Sequence, residues 1–188
     1  MELSNLNIKN ALCISIGANI ESKFGTPIET LIKCRRDLEN KIKSWIKENS
    51  EYPNNTNINS ESIFTWSSLY ETDPFRVEGQ QPKYINTLLL INSNSLAEPT
   101  IEKAKSILTL LKDLELYYGR IKEDETERWI SRCLDLDILW WNNLQVNNKE
   151  LTLPHPRFIE RNFVITPLSE ILSKNQNLRK LTDSNWTV

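Results

Sequence analysis

The segment Glu127–Trp141, ERWISRCLDLDILWW, sets two aspartates one residue apart inside an apolar run, with Arg128 and Arg132 just upstream. Carboxylates are seldom buried unless something positive compensates them. On a strand, residues two apart share a face. Asp135 and Asp137 should therefore project together, while Leu134, Leu136, Ile138 and Trp140 turn the other way into a core. Unneutralised, the two charges repel. A hard cation removes that cost, and Mg²⁺ commonly takes one or two carboxylates together with substrate phosphates. The competing reading is a pair of solvated aspartates on an open sheet face, which the spacing alone does not exclude.

Basic residues gather at the same strand entry: Arg120, Lys122, Arg128 and Arg132. Beside a metal-binding carboxylate pair they suit polyphosphate, with arginines forking onto the oxygens the cation leaves. Glu123, Asp124, Glu125 and Glu127 are interleaved with them, so a solvated loop of mixed charge fits equally well. The four glycines match no G-x-x-x-x-G-K-[ST] phosphate loop. The single histidine, His155, has no serine or cysteine elbow, which argues against a nucleophilic triad. It stands between Pro154 and Pro156, which restrict the backbone on both sides and suit a fixed donor to phosphate. Tyr84 and Asn86 share a face at the start of KYINTLLLI, and Phe163 lies near the last helix. Two rings and an amide can sandwich a flat heterocycle and read its edge, or they can be core aromatics.

These residues need a scaffold. A chain of 188 residues is long enough for one domain and buries about 70% of its unfolded surface. Hydrophobic content of 39%, charged content of 26% and a net charge of −2 are those of an ordinary globular protein. They give no reason to expect a nucleic-acid or membrane-surface partner. The N-terminal MELSNLNIKNALCISIGANI carries acidic and polar residues where a signal peptide would be basic. The three cysteines, Cys13, Cys34 and Cys133, match neither a disulfide framework nor a zinc site and read as small buried hydrophobes. A cytoplasmic monomer is expected.

A strand is predicted over Leu12–Gly17. A helix follows from the capping box Thr26-Pro27-Ile28-Glu29 to about Lys47. After a polar Asn-rich loop, strands are predicted over Ile63–Tyr70 and in KYINTLLLI. Pro99 is read as opening a second helix, which ends at Gly119. The aspartate strand, residues 132–141, a hairpin-like stretch and a third helix around residues 157–173 complete the order. No repeat or second domain is visible. The order suits an α+β ferredoxin-like sandwich with helices on one face of a largely antiparallel sheet.

The run RWISRCLDLDIL, followed by LTLPHPRFIERNFVITPLSEI, closely resembles the 6-hydroxymethyl-7,8-dihydropterin pyrophosphokinase family of folate biosynthesis. SIGANI, SSLYETDP, QPKYIN and LELYYGR agree in order, so the resemblance spans roughly residues 12–172. It implies a ferredoxin-like fold and transfer of the β,γ-pyrophosphoryl unit of ATP to the pterin hydroxymethyl oxygen, releasing AMP. It further implies that Asp135 and Asp137 bind two Mg²⁺ ions and that Arg120 and Arg132 stabilise the transition state. Glu115, Lys122, Ile138, His155 and Arg161 would attend ATP. Asn19, Thr72, Phe75, Tyr84, Asn86 and Phe163 would form the pterin pocket. The segment from Arg120 to Ser131, polar, without apolar periodicity and carrying the phosphate-seeking cations, is expected to be a mobile lid over ATP.

Departures from the family pattern are Trp129-Ile130-Ser131 in place of Trp-Gly-Pro, a long acidic loop, and Lys112 where glutamine is common. They bear on rate and affinity more than on reaction type. A silent pterin- or nucleotide-binding module would keep the pocket and lose the aspartates. A metal-dependent nuclease would need a basic face that the net charge does not support.

Overall fold

The structure, a computed structural model, describes residues 11–49, 63–74, 80–92, 96–121 and 130–173. Lys122, Arg128, Phe75, the Asn-rich loop and most of the expected lid fall outside them. The central strand β1, Ala11–Ala18, is buried along its whole length. It pairs antiparallel with β4, Tyr84–Asn92, on one side and with β5, Asp135–Trp141, on the other. Beyond β4 lie two short strands, β2 (Phe64–Trp66) and β3 (Tyr70–Thr72), both antiparallel to it. The strand order, with α1 (Pro27–Asn49) and α2 (Ile101–Tyr118) as the two crossovers, is that of the expected ferredoxin-like α+β sandwich.

Both helices begin and end as local chemistry dictates. Glu29 accepts from the Thr26 amide at 2.8 Å, closing the expected capping box. The second helix starts later than Pro99. Thr100 is its cap, in extended conformation, its hydroxyl accepting from the Lys103 amide at 3.2 Å. Gly119 ends it in the left-handed region at φ 104°. Leu31, Cys34, Leu38, Ile42, Trp45 and Ile46 of α1 and Ala104, Ile107, Leu111 and Leu114 of α2 pack against one face of the sheet. The described cysteines are free and buried.

Three expectations need correction. The predicted strand Ile63–Tyr70 is broken into β2 and β3. Three residues, Ser67 to Leu69, stand opposite only Thr87 and Leu88 of β4. The extra residue is a bulge, and the Ser67 hydroxyl takes over a ladder position by accepting from the Leu88 amide at 3.0 Å. A second irregularity lies in β5. Cys13 faces Trp140 and Ile14 faces Ile138, so Leu139 is supernumerary and the alternation inverts there. Leu134, Leu136 and Ile138 do enter the main core. Trp140 instead joins Cys13, Leu88 and Leu139 on the opposite face, and Trp141 takes the main-core position.

The third helical segment is also divided. A 3-10 turn, Phe158–Glu160, precedes α3, Asn162–Ser173, and Arg161 between them is extended. Its carbonyl accepts from the Val164 and Ile165 amides, both at 2.9 Å, so Arg161 serves as the cap of α3. This helix does not lie with the other two. Val164 and Leu168, with Phe158, cover Cys13, Leu88 and Trp140 on the second face. A small hairpin, β6 (Val146–Asn147) with β7 (Thr152–Leu153), leads into this turn. The rest of that face is left uncovered by α3.

Candidate active site

The uncovered half of the second face is a cleft whose floor is set by strand register. Gly17 of β1 pairs with Asn86 on one side and with Asp135 on the other. Directly paired residues share a face, so Asn86, Gly17 and Asp135 form one row across three strands. Asp137 stands beside Ser15 in the next row. Thr72, Asp73, Tyr84, Ile130, Arg132, Arg161 and Phe163 complete the lining.

At one end the charges converge. Asp135 Oδ1 accepts from Arg120 Nη1 at 2.7 Å and from Arg132 Nη1 at 3.0 Å. Arg120 Nη1 also reaches Glu115 Oε1 at 2.6 Å, and that oxygen accepts the Leu136 amide at 2.7 Å. Glu115, 1% exposed, thus fastens α2, Arg120 and the first turn of β5 together. Burial pushes its carboxyl up, while Lys112 and Arg120 pull it back down. Burial and the Asp135 charge likewise raise Asp137, opposed by Arg161, whose Nη1 lies 3.6 Å from Asp137 Oδ2. Arg161 Nε is buried without a hydrogen-bond partner among the described residues. A buried donor of this kind calls for an acceptor, and a phosphate oxygen is a suitable one.

The other end is built from an amide, hydroxyls and rings, with Asp73 at its edge. Asn86, 4% exposed, donates from Nδ2 to Thr72 Oγ1 at 2.8 Å. A methyl group on Gly17 would stand 2.8 Å from Asn86 Oδ1, so the bare α-carbon is what lets the amide lie across the strand. Tyr84 donates to the Ile130 carbonyl at 3.4 Å. Asn19, 3% exposed, accepts the Arg132 amide at 2.7 Å and donates to Ser131 Oγ at 3.1 Å, fixing the entry to β5.

A cleft that joins paired carboxylates and arginines to an aromatic and amide pocket agrees with comparison to known proteins. A model of the family 7,8-dihydro-6-hydroxymethylpterin-pyrophosphokinase matches residues 13–173. The chain belongs to this family. It is similar to the 2-amino-4-hydroxy-6-hydroxymethyldihydropteridine pyrophosphokinase of Bacillus subtilis, 37% identical over 105 residues, 56% of each chain. The Haemophilus influenzae protein of the same name is 35% identical over 116 residues, 62% of this chain and 66% of that one. Folic acid synthesis protein fol1 of Pneumocystis carinii is 28% identical over 165 residues, 87% of this chain and 20% of that one. The matches thus span between half and two thirds of the lengths of these two bacterial relatives.

Among the residues that the pyrophosphokinase pattern implies, Thr72, Tyr84, Asn86, Arg132, Asp135, Asp137, Arg161 and Phe163 line the cleft together. Arg120 and Glu115 reach it through Asp135. His155 feels Arg161 and Asp135, and burial with the Arg161 and Arg157 charges lowers its pKa to about 4. It is therefore a neutral donor at pH 7. Ile138 lies in the core at 3% exposure, with its side chain away from the cleft. Lys122 and Phe75 lie outside the described residues. Gly17 and Ser15 were not expected in the site. A lone glycine inside a strand often marks close approach of another group, and SIGANI contains one.

Proposed function

We propose that this protein transfers the β,γ-pyrophosphoryl unit of MgATP to the hydroxymethyl oxygen of 6-hydroxymethyl-7,8-dihydropterin, a step of folate biosynthesis. The observation that carries the reading is the juxtaposition, in one cleft, of Asp135, Asp137, Arg132 and Arg161 with Thr72, Tyr84, Asn86 and Phe163. Membership of the family supports it. The chain acts as one domain and one monomer in the cytoplasm. Among the described residues no helix is long and apolar enough to cross a membrane, and the small net charge suits neither nucleic acid nor a membrane surface.

Asn86 and Thr72 read the edge of the pterin, and Tyr84 and Phe163 hold its faces. The two carboxylates form a hard oxygen set suited to Mg²⁺. Among the described residues no larger cluster of acidic, histidine or cysteine side chains adds to them. Asp135 and Asp137 would hold the two Mg²⁺ ions that the family pattern implies. Bound there, the metal would neutralise charge on the phosphates and orient them. Arg120 and Arg132 leave Asp135 for the phosphate oxygens and follow the charge as it builds. His155 and the buried Nε of Arg161 donate to other oxygens of the triphosphate. The hydroxymethyl oxygen forms a bond to the β-phosphorus, the bond from that phosphorus to the α,β-bridging oxygen breaks, and AMP departs. The hydroxyl proton is lost to solvent or phosphate. Positioning of the two reactants in line supplies much of the rate.

Incubating the protein with MgATP and the reduced pterin should yield AMP and pterin diphosphate in equal amounts. ADP as the nucleotide product would overturn the reading. Tight binding of both substrates with no AMP would instead identify a silent binding module.

A further inference from the structure

The bulge between β2 and β3 leaves the Ser68 amide without a place in the ladder, and α3 supplies the acceptor. Glu170 Oε2 accepts from the Ser68 amide at 2.7 Å and from the Tyr70 hydroxyl at 3.0 Å. Glu170 Oε1 accepts from the Ser68 hydroxyl at 2.6 Å. Both partner residues are fully buried. The contacts join segments about a hundred residues apart in sequence, |i−j| 100 to 102. Burial, then the bond to Glu170, raises the Tyr70 hydroxyl well above its ordinary value, so it stays a donor.

The positions on either side of this junction belong to the cleft. Phe163 precedes Glu170 by seven residues on α3, almost two helical turns, so the two share one stripe. Thr72 follows Tyr70 by two residues on β3 and therefore shares its face. Thr72 in turn holds Asn86. One wall of the pocket thus hangs from α3 and the other from β3. A flat ring needs a gap in which both faces reach van der Waals contact, and a widening of about 1 Å forfeits a large part of that attraction.

We infer that Glu170 is a positioning residue: its clamp on Ser68 and Tyr70 sets the spacing between Phe163 and the Thr72–Asn86 pair, and so governs affinity for the flat heterocycle. The inference deepens the proposed function and rests on it for the identity of the ring.

The test uses the full chain with Glu170→Ala, Glu170→Gln and Tyr70→Phe. Glu170→Ala should raise KM for the pterin at least tenfold, while kcat at saturating pterin and KM for ATP stay within about twofold. Glu170→Gln keeps one acceptor for Ser68 N–H and Tyr70 O–H and can donate to the Ser68 oxygen, so it should restore pterin KM to within about threefold of the natural chain. Tyr70→Phe removes one donor and should raise pterin KM about threefold. It decides the matter if Glu170→Ala does not fold. Unchanged pterin KM, or kcat and both KM values moving together without rescue by glutamine, would overturn the inference. If the natural chain itself makes no AMP, the functional reading fails and the clamp is judged by NMR. Shifts of the Phe163 ring and Thr72 methyl should move in Glu170→Ala and return in Glu170→Gln; immobile shifts would sink the clamp independently.

Discussion

Asp135 and Asp137 differ more than their spacing suggests. Asp135 is already compensated by Arg120 and Arg132, whereas Asp137 has Arg161 at a longer 3.6 Å. Each Asp→Asn substitution keeps shape and, on the proposed reaction, removes a charge that the transition state needs more than the ground state. Each should lower kcat by at least ~10²-fold, about 2.7 kcal/mol of barrier, leaving pterin affinity without nucleotide nearly unchanged. Their effects on stability should diverge. Asp137→Asn relieves repulsion from Asp135 and gives up only the long contact to Arg161, so its urea midpoint should hold or rise. Asp135→Asn weakens two charge-assisted bonds, so its midpoint should fall. Near-natural turnover in either variant would remove the pair from the chemistry. His155 makes a separate acid prediction. Its pKa is lowered from 6.5 to about 4 by burial and by Arg161 and Arg157. Between those values the unfolded chain takes up a proton that the folded chain refuses, so stability is lost as pH falls through this window. Glu115 and Asp137, raised by burial, act with the opposite sign. The urea-derived ΔΔG of His155→Asn should therefore shift in the variant's favour by about 1 kcal/mol between pH 7 and pH 5, after allowance for solvent screening. No shift between the two pH values would mean that His155 is not held neutral.

At the scale of elements, the end of α2 carries the most consequence. Gly119 adopts φ 104°, and an added methyl would meet nothing within 4 Å. The cost of Gly119→Ala is then conformational alone, about 1–2 kcal/mol, measurable as a lower urea midpoint. The next residue is Arg120, whose amide bonds the Glu115 carbonyl in this same cap. The variant should also lose activity beyond what its stability predicts, and equal activity per folded molecule would show that Arg120 tolerates a shifted cap. This glycine was legible in the sequence, as were the capping box at Thr26, the apolar periods of α1 and α2, and the shared face of Asp135 and Asp137. Each depends on neighbours within one or two turns. The two bulges were not legible. Nothing local in IFTWSSLY or LDILWW reveals which strand will carry the extra residue, because that is fixed by pairing with β4 and β1. Trp140 was misplaced for this reason alone. The face chosen by α3 was equally hidden, since its apolar side could have served either side of the sheet.

For the whole molecule, two cores on opposite faces of one sheet divide the labour. The larger, between α1, α2 and the sheet, holds the strands in register. The smaller, under α3, covers half of the other face and leaves the cleft. The family motifs pointed to eight residues that line one cleft, yet its depth was not readable, because Gly17 contributes by lacking a side chain and Glu170 stands seven residues beyond Phe163. The row Asn86–Gly17–Asp135 has a further consequence. Its span is two strand separations, about 10 Å, and backbone hydrogen bonds maintain it without help from any loop. On the proposed reading, the protein therefore carries a fixed gauge between Asn86 at the ring and Asp135 at the phosphates. A substrate is measured against it. Lengthening the pterin arm from hydroxymethyl to hydroxyethyl should leave ring binding intact but misplace the attacking oxygen by about 1 Å, costing on the order of 10²-fold in kcat. Equal turnover of the two alcohols would show that the ring slides in its pocket, and that the sheet is no ruler.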